Sequence, residues 1–305
     1  PGGCAIGARP IDQTLKALTI LGGKVQETLK HYTITTDKLV GGHVYLDMPS
    51  VGATINTIIA AVKAKGLTII ENAAKEPEIV NVATFLNNMG AKISGAGTSE
   101  IRITGVKHLQ GCYAEVIPDR IEAGTYVIAG AMAGKNLKIS NIIPEHIESL
   151  LLKMKEMGIK YELGDDYLVI SKPQNTLKPV NVKTLGYPGF ATDLQQPLTP
   201  LLCMCQGTSI LEETIYESRF KNVPYLEQMG ANIKIDGRKI EINGPTSFKG
   251  CEVHATDLRA GASLVVAALA AEGETTIKDC EHILRGYDNM IEKLTRVGSD
   301  IKMLD

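Results

Sequence analysis

Five short segments of the chain share one pattern: LTILGGKV, LNNMGAKI, MKEMGIKY, LEQMGANI and LTRVGSDI. Their glycines, Gly22, Gly90, Gly158, Gly230 and Gly298, stand 68, 68, 72 and 68 residues apart. In each segment apolar residues at helical spacing run into a glycine and then into an alternating stretch. That pattern predicts an amphipathic helix, a glycine just past its end, and a strand. A second set runs in step: AKGLTIIEN, AGKNLKISN, CQGTSILEE and AEGETTIKD, with Gly66, Gly134, Gly207 and Gly273 at intervals of 68, 73 and 66 residues. Each of these predicts a helix end, a glycine turn and a strand. A hairpin pattern follows the first-set glycines and is clearest in ANIKIDGRKIEING, where Asp236-Gly237 marks the turn.

One unit therefore reads strand, helix, strand, helix, strand, strand over roughly 70 residues. This is longer than the usual solenoid repeat and mixes helix with strand. It predicts a compact α/β globule of repeated units rather than an open array. Two unrelated α/β domains form the competing reading, and the uniform intervals argue against it.

Composition narrows the function. The 305 residues allow two domains of ordinary size, and the net charge of −2 excludes a broad basic surface for nucleic acid. Apolar runs such as TIIAAV and YVIAGAMAG are too short to span a bilayer, and no signal peptide is visible. The cysteines Cys4, Cys112, Cys203, Cys205, Cys251 and Cys280 are scattered. They lack four-ligand zinc spacing, and no histidines cluster with them. They predict no metal site, a reducing cytoplasm, and thiols that serve mostly as small buried hydrophobes. The chain has no initiator Met and opens inside a glycine-rich loop, so it reads as a piece of a longer protein.

Polar residues recur where a strand runs into a helix start: VYLDMPSVGAT, AEVIPDRIEAGT, NVKTLGYPGFATDLQQ and VHATDLRAGAS. A helix start offers free N–H groups and partial positive charge, which suit an anion. Ser50, Asp119, Arg120, Asp193, Asp257 and Arg259 emerge there. Each of Ser50, Asp119, Asp193 and Asp257 taken alone reads first as a plain N-cap, and Arg259 beside Asp257 reads as a local ion pair. Charge recurring at the same place in several units favours a shared cleft. Arg9, Arg219 and Arg285 sit in the irregular stretches GARPID, YESRFKN and HILRGYD. Surface arginines are usually solvated, but a cluster with Arg259 would suit phosphate or carboxylate. Cys4, set in PGGCAIGARP, is either an inert exposed thiol or a reactive one.

The motifs PGGCAIGARPID, PSVGAT, IIENAAKEPEIVN, IPDRIEAGTY, FATDLQQ, YESRF, ATDLRAGASLV and RGYD occur in order along the whole chain. Together they resemble the UDP-N-acetylglucosamine 1-carboxyvinyltransferases, enolpyruvyl transferases of bacterial peptidoglycan synthesis. The resemblance implies a two-domain inverted (inside-out) α/β barrel of βαβαββ repeats, helices inside and sheets outside. The remainder of the first domain, with the cysteine loop, would occupy residues 1–117 and the second residues 118–305. It implies transfer of the enolpyruvyl group of phosphoenolpyruvate to the 3′-hydroxyl of UDP-N-acetylglucosamine with release of phosphate, without a cofactor.

Carried over by position, Cys4 would be the proton donor and the target of fosfomycin, and Asp193 the base near the sugar hydroxyl. Arg9, Arg259 and Arg285 would hold phosphoenolpyruvate. Arg9, Pro10, Ile11, Asp12, Gln13, Met48, Pro49, Ser50, Val51, Asp193 and Ile215 would bind the nucleotide sugar. Glu76, Asp119, Arg120, Arg219 and Asp257 would support the cleft.

The chemistry is consistent with these residue types. Phosphoenolpyruvate carries about three negative charges, which calls for guanidinium groups. Its methylene carbon needs an acid and the attacking hydroxyl a base. Nearby arginines would favour the Cys4 thiolate. A Lys-Asn pair, an arginine ahead of the cysteine loop, the first strand of the second domain and about one repeat of the first would lie upstream of Pro1. That missing N-terminal segment is a possible partner. Met48 stands where a family member can carry lysine. Two alternatives remain open: a 3-phosphoshikimate 1-carboxyvinyltransferase, which shares fold and donor, and an inactive substrate-binding fragment.

Overall fold

The structure, a computed structural model, describes residues 11–29, 31–217 and 219–304. Cys4, Arg9 and Pro10 therefore lie outside the described residues. The described chain divides into two compact units, residues 11–117 with Gly186–Pro188, and residues 118–185 with 189–304.

The first unit opens with helix α1 (Asp12–Ile20) and the antiparallel pair β1 (Lys24–Glu27) and β2 (Tyr32–Thr35). One full repeat follows: β3 (His43–Tyr45), α2 (Val51–Ala61), β4 (Leu67–Glu71), α3 (Pro77–Asn88), β5 (Lys92–Ser94) and β6 (Glu100–Thr104). The sheet order is β3-β4-β6-β5, with β3 parallel to β4 and the other pairs antiparallel. Ala17 and Leu21, from α1 and the residue that ends it, pack with Ile58, Ile70, Ile101 and Ile103 in one apolar core.

The second unit begins with α4 (Arg120–Ala133), β7 (Leu137–Ser140), a 3₁₀ turn (Pro144–Ile147), α5 (Glu148–Met157), β8 (Tyr161–Leu163) and β9 (Tyr167–Ile170). A second full repeat comprises β10 (Asn181–Lys183), α6 (Thr192–Cys203), β11 (Gly207–Glu212), α7 (Val223–Gln228), β12 (Asn232–Asp236) and β13 (Lys239–Gly244). Its order, β10-β11-β13-β12, reproduces the topology of the first unit's repeat. The last repeat holds β14 (Glu252–His254), α8 (Leu258–Ala268), β15 (Thr276–Lys278), α9 (Glu281–Leu284) and α10 (Met290–Arg296).

Helices α4, α6 and α8 pack against one another. They are buried nearly all round: α6 buries every residue from Leu194 to Cys203, and α8 every residue from Arg259 to Ala267. A helix with no solvent-facing side along most of its length is a central one. The strands instead alternate, as in β10 and β14 where only the middle residue is buried, so one face meets the core and the other meets water. This is the inside-out α/β arrangement that the resemblance implies. Close approach of α4 to α6 depends on Gly124, where a Cβ would come within 2.8 Å of both methyl carbons of Leu194.

All five first-set glycines have positive φ, between +89° and +105°, a conformation that ends each helix and that residues with a Cβ resist. In the second set Gly66, Gly207 and Gly273 behave likewise, but Gly134 does not. Its φ is −69°, and the left-handed step falls two residues later on Asn136 at φ 52°. Gly134 is held for space instead, since a Cβ there would lie 2.6 Å from the Gly130 carbonyl oxygen. Helix α6 carries Pro197 and Pro200 in its interior. Neither has an N–H, so the carbonyls of Asp193 and Gln196 lack their ladder donors.

Candidate active site

Three of the four strand-to-helix junctions behave as plain caps. Ser50 accepts from Ala53 N at 3.3 Å, Asp119 from Ile121 N at 2.8 Å, and Asp257 from Arg259 N at 3.0 Å and Ala260 N at 2.9 Å. Asp193 departs from this expectation. The cap position of α6 is Ala191, without a side-chain bond, and Asp193 sits one residue inside the helix. Its carboxylate is held by two arginines of the same unit: Arg219 Nη2 donates to Oδ1 at 2.6 Å and Arg259 Nη2 to Oδ2 at 3.1 Å. The expected Asp257–Arg259 ion pair is likewise corrected. Asp257 takes the backbone of residue 259, which leaves the guanidinium to reach Asp193.

This is an unusual place for charge. Arg219 is 3% exposed and Arg259 9%, whereas the Asp193 side chain is 38% exposed. Burial alone would raise the Asp193 pKa. The charges and hydrogen bonds of Arg219 and Arg259 outweigh it and hold the carboxyl below the usual aspartate range. The arginines are not exhausted by one carboxylate. Arg259 Nε and Nη1 and Arg219 Nε are buried with no hydrogen-bond partner among the described residues. Buried guanidinium donors left open are costly, and they fit an incoming phosphate or carboxylate. Tyr287 lies under Arg259, with 5.3 Å from guanidinium carbon to ring centroid, and its hydroxyl meets Thr125 Oγ1 at 3.0 Å. Arg285, at the end of α9, is exposed and two residues from Tyr287.

Thr192 and Glu213 extend the cluster. Arg219 Nη1 donates to Thr192 Oγ1 at 2.7 Å, and that hydroxyl donates to Glu213 Oε2 at 2.8 Å. Ile215 stands next to Glu213 in an irregular stretch, with its backbone N–H on Glu213 Oε1 at 2.8 Å.

In the first unit, the start of α1 meets the loop ahead of α2. Gln13 accepts from Asp47 N at 2.7 Å and donates to the carboxylates of Asp12 and Asp47. This brings Ile11, Asp12 and Gln13 beside the loop of Met48, Pro49, Ser50 and Val51, in which Met48 is 51% exposed. Glu76 precedes α3, and its Oε1 accepts from Tyr187 N at 3.5 Å. Arg120 opens α4 beside its cap Asp119.

Two cavities of the second unit lie elsewhere. One of about 310 Å³ is lined by residues including Met132, Leu201 and Met204, and one of about 400 Å³ by residues including Tyr126, Ile139 and Lys293. Neither touches Asp193, Arg219 or Arg259, so the cluster is recognised by its charges and not by an enclosed volume. No group of His, Cys, Asp and Glu among the described residues could hold a metal ion. Burial pushes the thiols of Cys203 and Cys205 up to about 12 and about 11.

Residues 1–294 match the family described as EPSP synthase (3-phosphoshikimate 1-carboxyvinyltransferase). UDP-N-acetylglucosamine 1-carboxyvinyltransferase 2 of Bacillus subtilis is 56% identical over 301 residues, 99% of this chain and 70% of that protein. Its namesake from Listeria monocytogenes is 54% identical over 99% of this chain and 71% of its own length. The chain belongs to the UDP-N-acetylglucosamine 1-carboxyvinyltransferase family of enolpyruvyl transferases. Within the solved structures, the enolpyruvyl transferase NikO from Streptomyces tendae superposes with a TM-score of 0.89 at 27% identity, covering 97% of this chain and 73% of that one. An EPSP synthase from Acinetobacter baumannii shares the fold, with a TM-score of 0.73 at 20% identity over all of this chain and 74% of that one. The enolpyruvyl transferase fold thus positions the Asp193 cluster at the start of a central helix of the second unit.

The depressed pKa of Asp193 has a consequence for acid stability. A carboxyl held lower in the folded state contributes stability that is fully present above its unfolded pKa of roughly 4 and is lost as pH falls through the folded value. Asp193→Asn is therefore expected to flatten the fall of stability below about pH 4 relative to the parent. Urea midpoints measured across pH 2.5–6 check this.

Proposed function

We propose that the chain transfers the enolpyruvyl group of phosphoenolpyruvate to the 3′-hydroxyl of UDP-N-acetylglucosamine, releasing phosphate, in the cytoplasm as a step of peptidoglycan synthesis. The observation that carries this reading is the Asp193 carboxylate between Arg219 and Arg259, with buried Arg259 donors left over. The names of the relatives at 54–56% identity supply the acceptor.

Asp193 is the base for the sugar hydroxyl. In the free protein its charge is matched by Arg219 and Arg259, which makes it a weak base. When the anionic donor takes up Arg259, part of that positive field is redirected to the donor and the basicity of Asp193 rises. Arg9, Arg259 and Arg285 hold the donor's phosphate and carboxylate and stabilise the charge that builds up during addition. Cys4 supplies the proton to the methylene carbon and is the atom alkylated by fosfomycin. Ile11, Asp12 and Gln13, the Met48–Val51 turn and Ile215 receive the nucleotide sugar. Glu76, Asp119, Arg120 and Asp257 hold the helix starts around them.

Phosphate release measured with each acceptor tests the assignment. Turnover is expected with UDP-N-acetylglucosamine, and turnover with shikimate 3-phosphate alone would overturn it. Cys4→Ala is expected to abolish the fosfomycin mass adduct. An adduct that persists in that variant would remove Cys4 from the reaction.

A further inference from the structure

The repeats agree with one another at the residue that ends the second strand, except once. Asn72 follows β4, Asn141 follows β7 and Asp279 follows β15, and all three are left-handed, with φ of 56°, 55° and 57°. Short amide and carboxylate side chains tolerate that conformation. The matching residue after β11 is Glu213, which does not share it. It is 0% exposed, a state that carboxylates reach only when fully hydrogen-bonded.

Glu213 has four donors among the described residues. Oε1 accepts from Thr184 Oγ1 at 2.9 Å, Ile215 N at 2.8 Å and Tyr216 N at 3.1 Å. Among the described residues Oε2 accepts only from Thr192 Oγ1, at 2.8 Å. The two oxygens thus face different structures. One shapes the turn that carries Ile215. The other fixes which way the Thr192 hydroxyl points. With its proton committed to Glu213, Thr192 has only lone pairs to offer Arg219 Nη1, at 2.7 Å. That bond aims the other arm of the guanidinium, Nη2, at Asp193 Oδ1. We infer that Glu213 is a positioning residue for the reaction: through Thr192 and Arg219 it sets the orientation of the Asp193 carboxylate, and through its other oxygen it sets the Ile215 turn.

This inference rests on the enolpyruvyl transfer reading, and its test separates the two. Glu213→Gln keeps an oxygen for the three donors at the turn and places an NH₂ group opposite Thr192. Thr192 must then accept from both sides, its proton is displaced, and the Arg219 fork is disturbed while the turn survives.

The expected result is a fall in kcat of about tenfold or more, with KM for UDP-N-acetylglucosamine within about twofold. Glu213→Ala is expected to raise that KM as well. Thr192→Val should lower kcat similarly, and the Glu213→Gln, Thr192→Val double variant should be no worse than Thr192→Val alone, because both act through one link. Thr192→Ser should restore the parent kcat. Each variant is compared at a temperature well below its own melting midpoint, so loss of fold is read separately. A parent protein without phosphate release would overturn the functional reading. An active parent with Glu213→Gln at parental kcat, or with additive losses in the double variant, would overturn the role of Glu213.

Discussion

Asp193→Ala is expected to lower kcat by about 10²–10⁴ while nucleotide-sugar binding, read by calorimetry, changes severalfold at most. The motive is geometric: one carboxylate oxygen faces each of two buried arginines. The variant should also be less stable. Removing the carboxylate leaves Arg219 and Arg259 facing each other without an anion, and stripping one partner from a buried pair costs about 3–5 kcal/mol. Here the cost should fall to about 2 kcal/mol, since the Asp193 side chain is 38% exposed and water can enter its place. In a domain of this size that is roughly 4–8 °C in melting midpoint. Asp193→Asn separates the two roles. It keeps the shape and one acceptor, so it should regain part of the stability and none of the base. Parental kcat in either variant would remove Asp193 from proton transfer.

Arg259→Lys is expected to lower kcat/KM for phosphoenolpyruvate by about 10²–10³ while leaving the charge count unchanged. The guanidinium works in three directions at once. Nη2 holds Asp193, the Tyr287 ring lies against its face, and Nε and Nη1 have no hydrogen-bond partner among the described residues. An ammonium on a flexible stem can satisfy one of these and presents no fork to a phosphate or carboxylate. The loss should fall on the donor: KM for phosphoenolpyruvate rises, whereas KM for the nucleotide sugar moves little. A lysine variant with parental donor KM would show that another cation carries the anion. Tyr287 is buried, and burial raises its phenol above the usual range despite the neighbouring Arg259. It therefore stays neutral at working pH and acts as a fixed surface for the guanidinium.

Much of this was legible in the sequence because it is repeated. Glycines at near-constant spacing announce where helices end, and the five of the first set all adopt the left-handed conformation that glycine serves best. Gly134 does end a helix ahead of a strand, but two demands look alike in a sequence: a glycine kept for its φ and a glycine kept for lack of a Cβ. Its neighbour Asn136 was the available signal. The charged helix starts were also legible, yet their roles were not. A cap and a functional carboxylate use the same residue types, and only the register of α6, starting after Ala191, separates Asp193 from Ser50, Asp119 and Asp257.

Glu213, Thr192 and Tyr287 were missed as individuals. Their importance comes from partners 21 to 162 positions away in the chain. One signal was available for Glu213: CQGTSILEE ends in glutamate where IIEN, KISN and TIKD end in Asn or Asp. A repeat that breaks its own rule at a position that becomes buried indicates a task the other copies do not share.

The interior prolines of α6 carry a last consequence. With no amide hydrogen at positions 197 and 200, the opening turn of the helix lacks two of its ladder bonds, while its Thr192 and Asp193 side chains are tied to Glu213, Arg219 and Arg259. Substitutions around Leu198 to Cys203 are therefore expected to disturb the carboxylate less than changes at Glu213 or Arg219.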